Sequence, residues 1–369
     1  MDITRIDHVE FYAADADRTA RELCAGLGFR LVGALGSQPG GQRSVLLRQG
    51  GIQLLVTASA DPAHPAAAFV ARHGDGVATL ALAAPDPAAA LLEALDHGAV
   101  PLPAAEPTGW GDPTDATRVR AFGSVAHRFV AGGALAARFT RPDATPPDAA
   151  DRAEPLGLLD EVDHVAVCVP AGELAGTVAL HREVFGFASI FAERIEVGAQ
   201  AMNSEVVQSP SGTVTLTILE PDPEREPGQI DDFVTAHGGP GVQHLALRTE
   251  DIATSVRTLA ERGIGFLAAP GAYYEELARL PESKHVPLAV LRELNVLVDR
   301  DENGELFQIF SRTTHPRRTF FFELIERRLA RTFGTSNITA LYRAVELDRS
   351  RTRDRLPAGE PVPAPLPAR

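Results

Sequence analysis

Cysteine is nearly absent. Cys24 and Cys168 are the only two in 369 residues, too few for a disulfide framework and in keeping with a reducing cytoplasm. Cys168 stands four residues after His164 and reads as a small packed side chain rather than a ligand. Positive charge is also scarce: 35 Lys and Arg face 49 Asp and Glu, a net charge of −14. That balance argues against nucleic acid or an anionic membrane as a partner. No apolar run approaches a membrane span. The residues from Met1 to Asp7 lack a basic start and an apolar core, so no signal peptide is expected. There is no Gly-x-Ser-x-Gly elbow and no phosphate-cradling glycine loop; Gly26-Leu27-Gly28 alone is too weak a signal. What remains is a cytoplasmic, globular chain, 44% hydrophobic and 23% charged, long enough for two domains. A homodimer is compatible with this composition.

The chain repeats itself. Ile6-Asp7-His8-Val9 precedes a helical stretch and Gly26-Leu27-Gly28-Phe29; Val162-Asp163-His164-Val165 precedes another and Val184-Phe185-Gly186-Phe187. Gly76-Val77-Ala78-Thr79-Leu80-Ala81-Leu82 likewise matches Gly241-Val242-Gln243-His244-Leu245-Ala246-Leu247. Two copies of one domain follow, over 1–140 and 157–347. A polar, proline-rich linker over 141–156 joins them, and a proline-rich tail over 348–369 reads as disordered. Asp251 to Gly263 has an acidic start, apolar residues at helical spacing and a closing glycine, which predicts a helix. Ile264 to Leu267 reads as a short strand. Asp301-Glu302-Asn303-Gly304 is a hairpin turn between two strand-like runs. The fold class is α+β with mixed sheets, each copy made of two βαβββ modules.

Three strand-like strings about eighty residues apart carry the chemistry: His164, His244 and Glu323. Two imidazoles and one carboxylate are the ligand set of a facial triad, which holds iron(II) with positions left open. The thiolates of a closed structural zinc site are missing. The first copy is an internal control. His8 aligns with His164, but Thr79 aligns with His244, and no Asp or Glu lies from Arg118 to Thr140. The set is present in one copy and missing from the other, so a metal is expected in the second copy only. The alternative is that Glu323 pairs with Arg317 or Arg327 and that the histidines are core residues. A carboxylate among Phe320, Phe321, Phe322, Leu324 and Ile325 needs a charged partner or a metal in either case. His64, His73, His237, His285 and His315 are expected at the surface, beside Gly, Pro or Asp. His97, His127 and His181 have no evident partner.

The strings Gly241-Val-Gln-His-Leu-Ala-Leu-Arg-Thr-Glu-Asp-Ile252, Leu306-Phe-Gln-Ile-Phe310 and Thr319-Phe-Phe-Phe-Glu-Leu-Ile-Glu-Arg327 resemble the 4-hydroxyphenylpyruvate dioxygenase family. The likeness runs to about residue 347. It implies two tandem vicinal-oxygen-chelate domains, each an open barrel, with Fe(II) held by His164, His244 and Glu323 in the second. It also implies 4-hydroxyphenylpyruvate and O2 as substrates. Homogentisate-forming members carry Pro-Ile-Asn-Glu-Pro where this chain has Thr217-Ile218-Leu219-Glu220-Pro221. That stretch, Val197 to Ser204 and Thr332 to Ile338 look like the branch that hydroxylates the benzylic carbon to 4-hydroxymandelate, a supplier of 4-hydroxyphenylglycine for peptide antibiotics. The family pattern makes Ser204, Thr217, Leu219, Gln243 and Gln308 candidate substrate contacts, with Phe310, Phe333 and Asn337 lining or closing the pocket. Competing readings are homogentisate formation, extradiol ring cleavage and metal-free binding of a small molecule.

Overall fold

The computed structural model describes residues 1–36, 41–102, 118–139, 155–331, 333, 334, 337, 339 and 340. Most of the expected linker over 141–156 and all of the expected tail over 348–369 lie outside the described residues.

The first half runs β1 (Arg5–Tyr12), α1 (Ala16–Leu27), β2 (Arg30–Leu35), β3 (Gln42–Gln49), β4 (Ile52–Ser59), α2 (Pro65–His73), β5 (Gly76–Ala83), α3 (Pro87–Asp96), β6 (Arg118–Phe122), β7 (Val125–Val130) and α4 (Ala134–Phe139). The second runs β8 (Val162–Cys168), α5 (Leu174–Glu183), β9 (Ala188–Val197), β10 (Gln200–Gln208), β11 (Thr215–Pro221), α6 (Gln229–His237), β12 (Gly241–Arg248), α7 (Ile252–Glu261), α8 (Gly271–Leu277), α9 (Leu288–Leu294), β13 (Leu297–Arg300), β14 (Glu305–Phe310) and β15 (Phe321–Arg328). Each half folds one mixed sheet, in the orders β2-β3-β4-β1-β5-β7-β6 and β13-β14-β15-β12-β8-β11-β10-β9. The two modules of each half meet antiparallel at their first strands, β1 against β5 and β8 against β12. In the first half, the described residues show one strand position of the second module as the isolated bridge Pro101–Val119.

Local sequence explains most boundaries. Asp251 caps α7, its carboxylate accepting from Thr254 N at 2.9 Å. Asp301 Oδ1 accepts from Asn303 N and Gly304 N and closes the β13–β14 hairpin. The strand expected from Ile264 to Leu267 is only a bridge at Phe266 to Ser311; the run is too short to pair along its length. Strand alternation sets the layers. Val165, Val167, Leu216, Ile218, Leu245, Leu247 and Leu324 face the main core, while Ala166, Cys168, Met202 and Leu219 belong to a separate inner cluster with Ile230 and Phe233 of α6. The inner face of the second sheet is therefore a concave surface covered by α6.

Buried polar contacts join the halves. Gln49 is fully buried; its Nε2 donates to Leu27 O, and its Oε1 accepts from Leu158 N and Leu159 N. Beside it, Gly50 has φ 55°, and a Cβ there would lie 2.6 Å from Leu159 O, so the close approach requires glycine. His73 and His237 are not surface residues. They are buried and stacked with centroids 4.5 Å apart, and His73 Nδ1 donates to His237 O at 2.8 Å. The gain of an aromatic contact between α2 and α6 outweighs the polar company these residues keep in sequence.

His127 and His181, which sequence leaves unpaired, meet across the halves with Nε2 atoms 3.1 Å apart. His181 Nδ1 donates to Thr177 O at 2.8 Å, so its Nε2 accepts from His127 Nε2–H. That bond requires His181 to be neutral.

Burial pushes the pKa of His127 well down and that of His181 down to about 4. Burial, then the neighbouring His73, lowers His237 to about 4. A folded pKa below the unfolded value of about 6.5 gives stability that is complete above that value and lost as pH falls toward 4. For His181 alone the loss at pH 5 is roughly 2 kcal/mol. Unfolding midpoints are expected to fall steeply between pH 7 and 5, and less steeply when His127 and His181 are both replaced by Leu. Parallel pH profiles for the two proteins would contradict this account.

Candidate active site

Three adjacent strands supply the three candidate ligands. In register, Ala246 on β12 lies opposite His164 on β8 and opposite Glu323 on β15. His244, two residues before Ala246, shares its face. The small Ala246 methyl is the floor between the flanking strands, and the three larger side chains converge above it. A register shift between Val242 and His244 interrupts strict alternation at Gln243. Gln243 and His244 therefore both line the cavity, although they are consecutive.

His164 Nε2 and His244 Nε2 lie 3.4 and 3.3 Å from Glu323 Oε2. Their ligating atoms all fall within 4.8 Å of one another, and all three residues are buried. His164 Nδ1 donates to Asp163 Oδ1 at 2.9 Å, and His244 Nδ1 faces the amide oxygen of Gln243 at 3.3 Å. With protons held on both Nδ1 atoms, two imidazole lone pairs and a carboxylate oxygen point at one spot. None of these can bond another, so the set calls for a cation. Burial works against a charged His164, but the Glu323 charge and the bonds from Asp163 and Glu323 outweigh it and raise its pKa to about 9. The same pairing holds Glu323 low, against its burial, at about 2. A proton on His164 thus supplies the required charge when no metal does. The residues fit a divalent cation bound by two imidazoles and one carboxylate oxygen.

The other Glu323 oxygen, Oε1, is taken. Gln308 Nε2 donates to it at 2.7 Å, and Asn337 Nδ2 donates to Gln308 Oε1 at 2.6 Å. Asn337 Oδ1 lies 3.3 Å from the Tyr273 hydroxyl, which also meets Val298 O at 2.9 Å. Gln308 lines the cavity, while Asn337 lies behind it and fixes the Gln308 amide. Neither Arg317 nor Arg327 pairs with Glu323. Arg317 donates to Arg72 O and Ala71 O, and Arg327 holds Asp163.

The cavity is lined by Thr217, Leu219, Gln243, Gln308, Phe310 and Phe333 of the sequence candidates, besides the ligands. Ser204 is buried opposite Leu219 across β10 and β11, outside that lining. Met202, Gln229, Ile230 and Phe321 complete the wall. Sequence reading missed these four. Phe321 shares strand parity with Glu323 and could have been found; α6 reaches the cavity only through tertiary packing. Phe321 stacks on His244 at 4.8 Å and 24°.

The first half shows how such a site lapses. Ala81 lies opposite His8 and opposite Arg128. His8, Thr79 and Arg128 thus stand where the second half has His164, His244 and Glu323. A guanidinium occupies the carboxylate's place, 3.7 Å from Glu10, and no cation site can form around it. Alanine at His164, His244 or Glu323 is expected to abolish metal retention after gel filtration, read by atomic absorption. Alanine at His8 is expected to leave one equivalent bound, with at most a loss of stability. Full retention by Glu323→Ala would sink the assignment.

Known proteins bear on this geometry. Residues 1–113 match the model of the hydroxyphenylpyruvate dioxygenase N-terminal domain, and residues 163–278 that of the glyoxalase, bleomycin resistance protein and dioxygenase superfamily. The 4-hydroxyphenylpyruvate dioxygenase of Sus scrofa is 30% identical, with 96% of this chain and 94% of that protein aligned. The enzyme of Danio rerio is also 30% identical, over 93% and 90%. A solved triple mutant of 4-hydroxymandelate synthase from Streptomyces coelicolor is 40% identical, with a TM-score of 0.81 over 94% of this chain and 100% of that one. Both halves, the tandem architecture and the paired imidazoles and carboxylate of the second half agree: this chain belongs to the 4-hydroxyphenylpyruvate dioxygenase family.

Proposed function

We propose that this dioxygenase uses Fe(II) and converts 4-hydroxyphenylpyruvate and O2 to 4-hydroxymandelate and CO2. The product would supply 4-hydroxyphenylglycine for a peptide antibiotic. The observation that carries the benzylic branch is the inner face of β11, where Thr217 and Leu219 line the cavity in place of the proline and asparagine of the homogentisate branch. The similarity to 4-hydroxymandelate synthase over almost the whole chain supports the same reading.

Bound Fe(II) would offer positions for the two oxygens of the keto acid and for O2, with decarboxylation supplying electrons for O2 activation. The protein's part is positioning. Leu219, Met202 and Ile230 make one apolar wall, against which the substrate's ring would lie. Thr217 Oγ1 is buried and has no hydrogen-bond partner, so it is available to a polar group of the substrate. With Leu219 in place of an asparagine, β11 offers no amide to anchor the ring for attack on its own carbons, and the CH2 group would be the part turned toward the site of reaction. Phe310, Phe321 and Phe333 surround the histidines and limit water near the reacting atoms.

Incubation with Fe(II), O2 and 4-hydroxyphenylpyruvate, followed by chromatography, is expected to give mainly 4-hydroxymandelate. Homogentisate as the main product would reverse the branch and leave the metal site standing. Thr217→Pro with Leu219→Asn is expected to keep decarboxylation and move part of the product to ring-hydroxylated species. The new asparagine, buried among apolar groups, should cost about 1–3 kcal/mol of stability. An unchanged product ratio in that variant would remove these positions from control of regiochemistry.

A further inference from the structure

We propose that Asp163 and Arg327 are positioning residues for the metal: together they hold His164 in the tautomer and orientation that present Nε2 to the site. This rests on the reading of His164, His244 and Glu323 as metal ligands. Arg327 grips Asp163 with two bonds, Nε to Oδ2 at 2.7 Å and a terminal nitrogen to Oδ1 at 2.9 Å. Asp163 Oδ1 also accepts from His164 Nδ1 at 2.9 Å. A bidentate guanidinium fixes the carboxylate plane, and the carboxylate fixes the ring. The Arg327 guanidinium is set in turn over the Phe333 ring, 5.2 Å from its centroid, and Phe333 meets His164 edge-on at 6.1 Å. His164 is thereby held through Nδ1 and against the Phe333 ring. His244 is stacked on Phe321, but its Nδ1 faces the neutral Gln243 amide at 3.3 Å rather than a carboxylate. The two imidazoles differ in backing, and the carboxylate-backed one is the stronger donor.

The first half separates this role from a general need of the fold. There Asp7 also meets His8, Oδ1 to Nδ1 at 2.9 Å. Its other contacts are Gly133 N at 3.0 Å and Arg5 at 3.4 Å, and the Arg5 side chain is 53% exposed. Four residues beyond Arg128, at the position of Arg327, stands Gly132. The Asp–His pair is common to both halves. The rigid two-bond clamp occurs in the half that has all three ligands, which ties it to the ligand site rather than to the strand pairing.

The test uses the full metal-free chain and Co(II) alone, without substrate. Asp163→Asn keeps shape and an acceptor for Nδ1–H but removes the charge. It is expected to weaken Co(II) binding 10- to 100-fold and to shift the visible Co(II) bands. Arg327→Gln, which keeps Asp163 but frees it, should weaken binding in the same direction. Gln243→Ala should change it less than about threefold, since a neutral amide at longer range contributes less. Unfolding midpoints of the metal-free proteins report any purely structural effect. Both clamp variants binding Co(II) within twofold of the unmodified chain, with unchanged bands, would overturn the proposal. Failure of the unmodified chain to bind Co(II) would instead overturn the ligand assignment beneath it.

Discussion

One buried carboxylate with two imidazole lone pairs beside it governs the second half of this molecule. Glu323 is 1% exposed, and an ionised carboxylate at such depth is tolerated only with compensating charge and hydrogen bonds. The compensation comes from three directions. His164 and His244 face one oxygen, Gln308 binds the other, and the remaining unit of positive charge is a proton or a metal. The chain around the site serves that arrangement. Ala246 leaves the space, β8 and β15 flank it in matching register, and the interruption at Gln243 turns two consecutive polar side chains inward.

Each ligand is also held by a different kind of neighbour. His164 has an arginine-clamped carboxylate, His244 an amide, and Glu323 a chain of amides that runs through Gln308 and Asn337 to Tyr273. Outer contacts of this sort orient the donors and tune their strength. Gln308 and Asn337 are thereby more than pocket lining, since they assign one Glu323 oxygen to the protein and leave the other to the site.

Duplication gave the chain two such cups, and the set of two imidazoles and one carboxylate to only one. In the first, Arg128 sits where a carboxylate must be, and the half instead contributes surface to its partner. Two histidine pairs join the halves: His73 on His237, and His127 bonded to His181. His181 must be neutral to accept from His127, and burial favours the neutral form of all four rings, which ties the joint between the halves to pH without involving the reacting centre.

The sequence by itself determined the repeat, the α+β class, the helix from Asp251, the Asp301–Gly304 hairpin and the three side chains that converge as the candidate metal site. Each rests on a local pattern or on residue types compared between two copies, and both survive in one dimension. It also marked Thr217, Leu219, Phe310 and Phe333 through their motifs. Only the tertiary structure decided what meets across strands and helices. It set Arg327 on Asp163 rather than Glu323, buried His73 and His237, and paired His127 with His181. It placed Met202 and α6 in the cavity wall and left Ser204 and Asn337 outside it. The physical reason is that such contacts depend on register, bulges and helix docking. These are set by the packing of the whole core, and no window of sequence contains them.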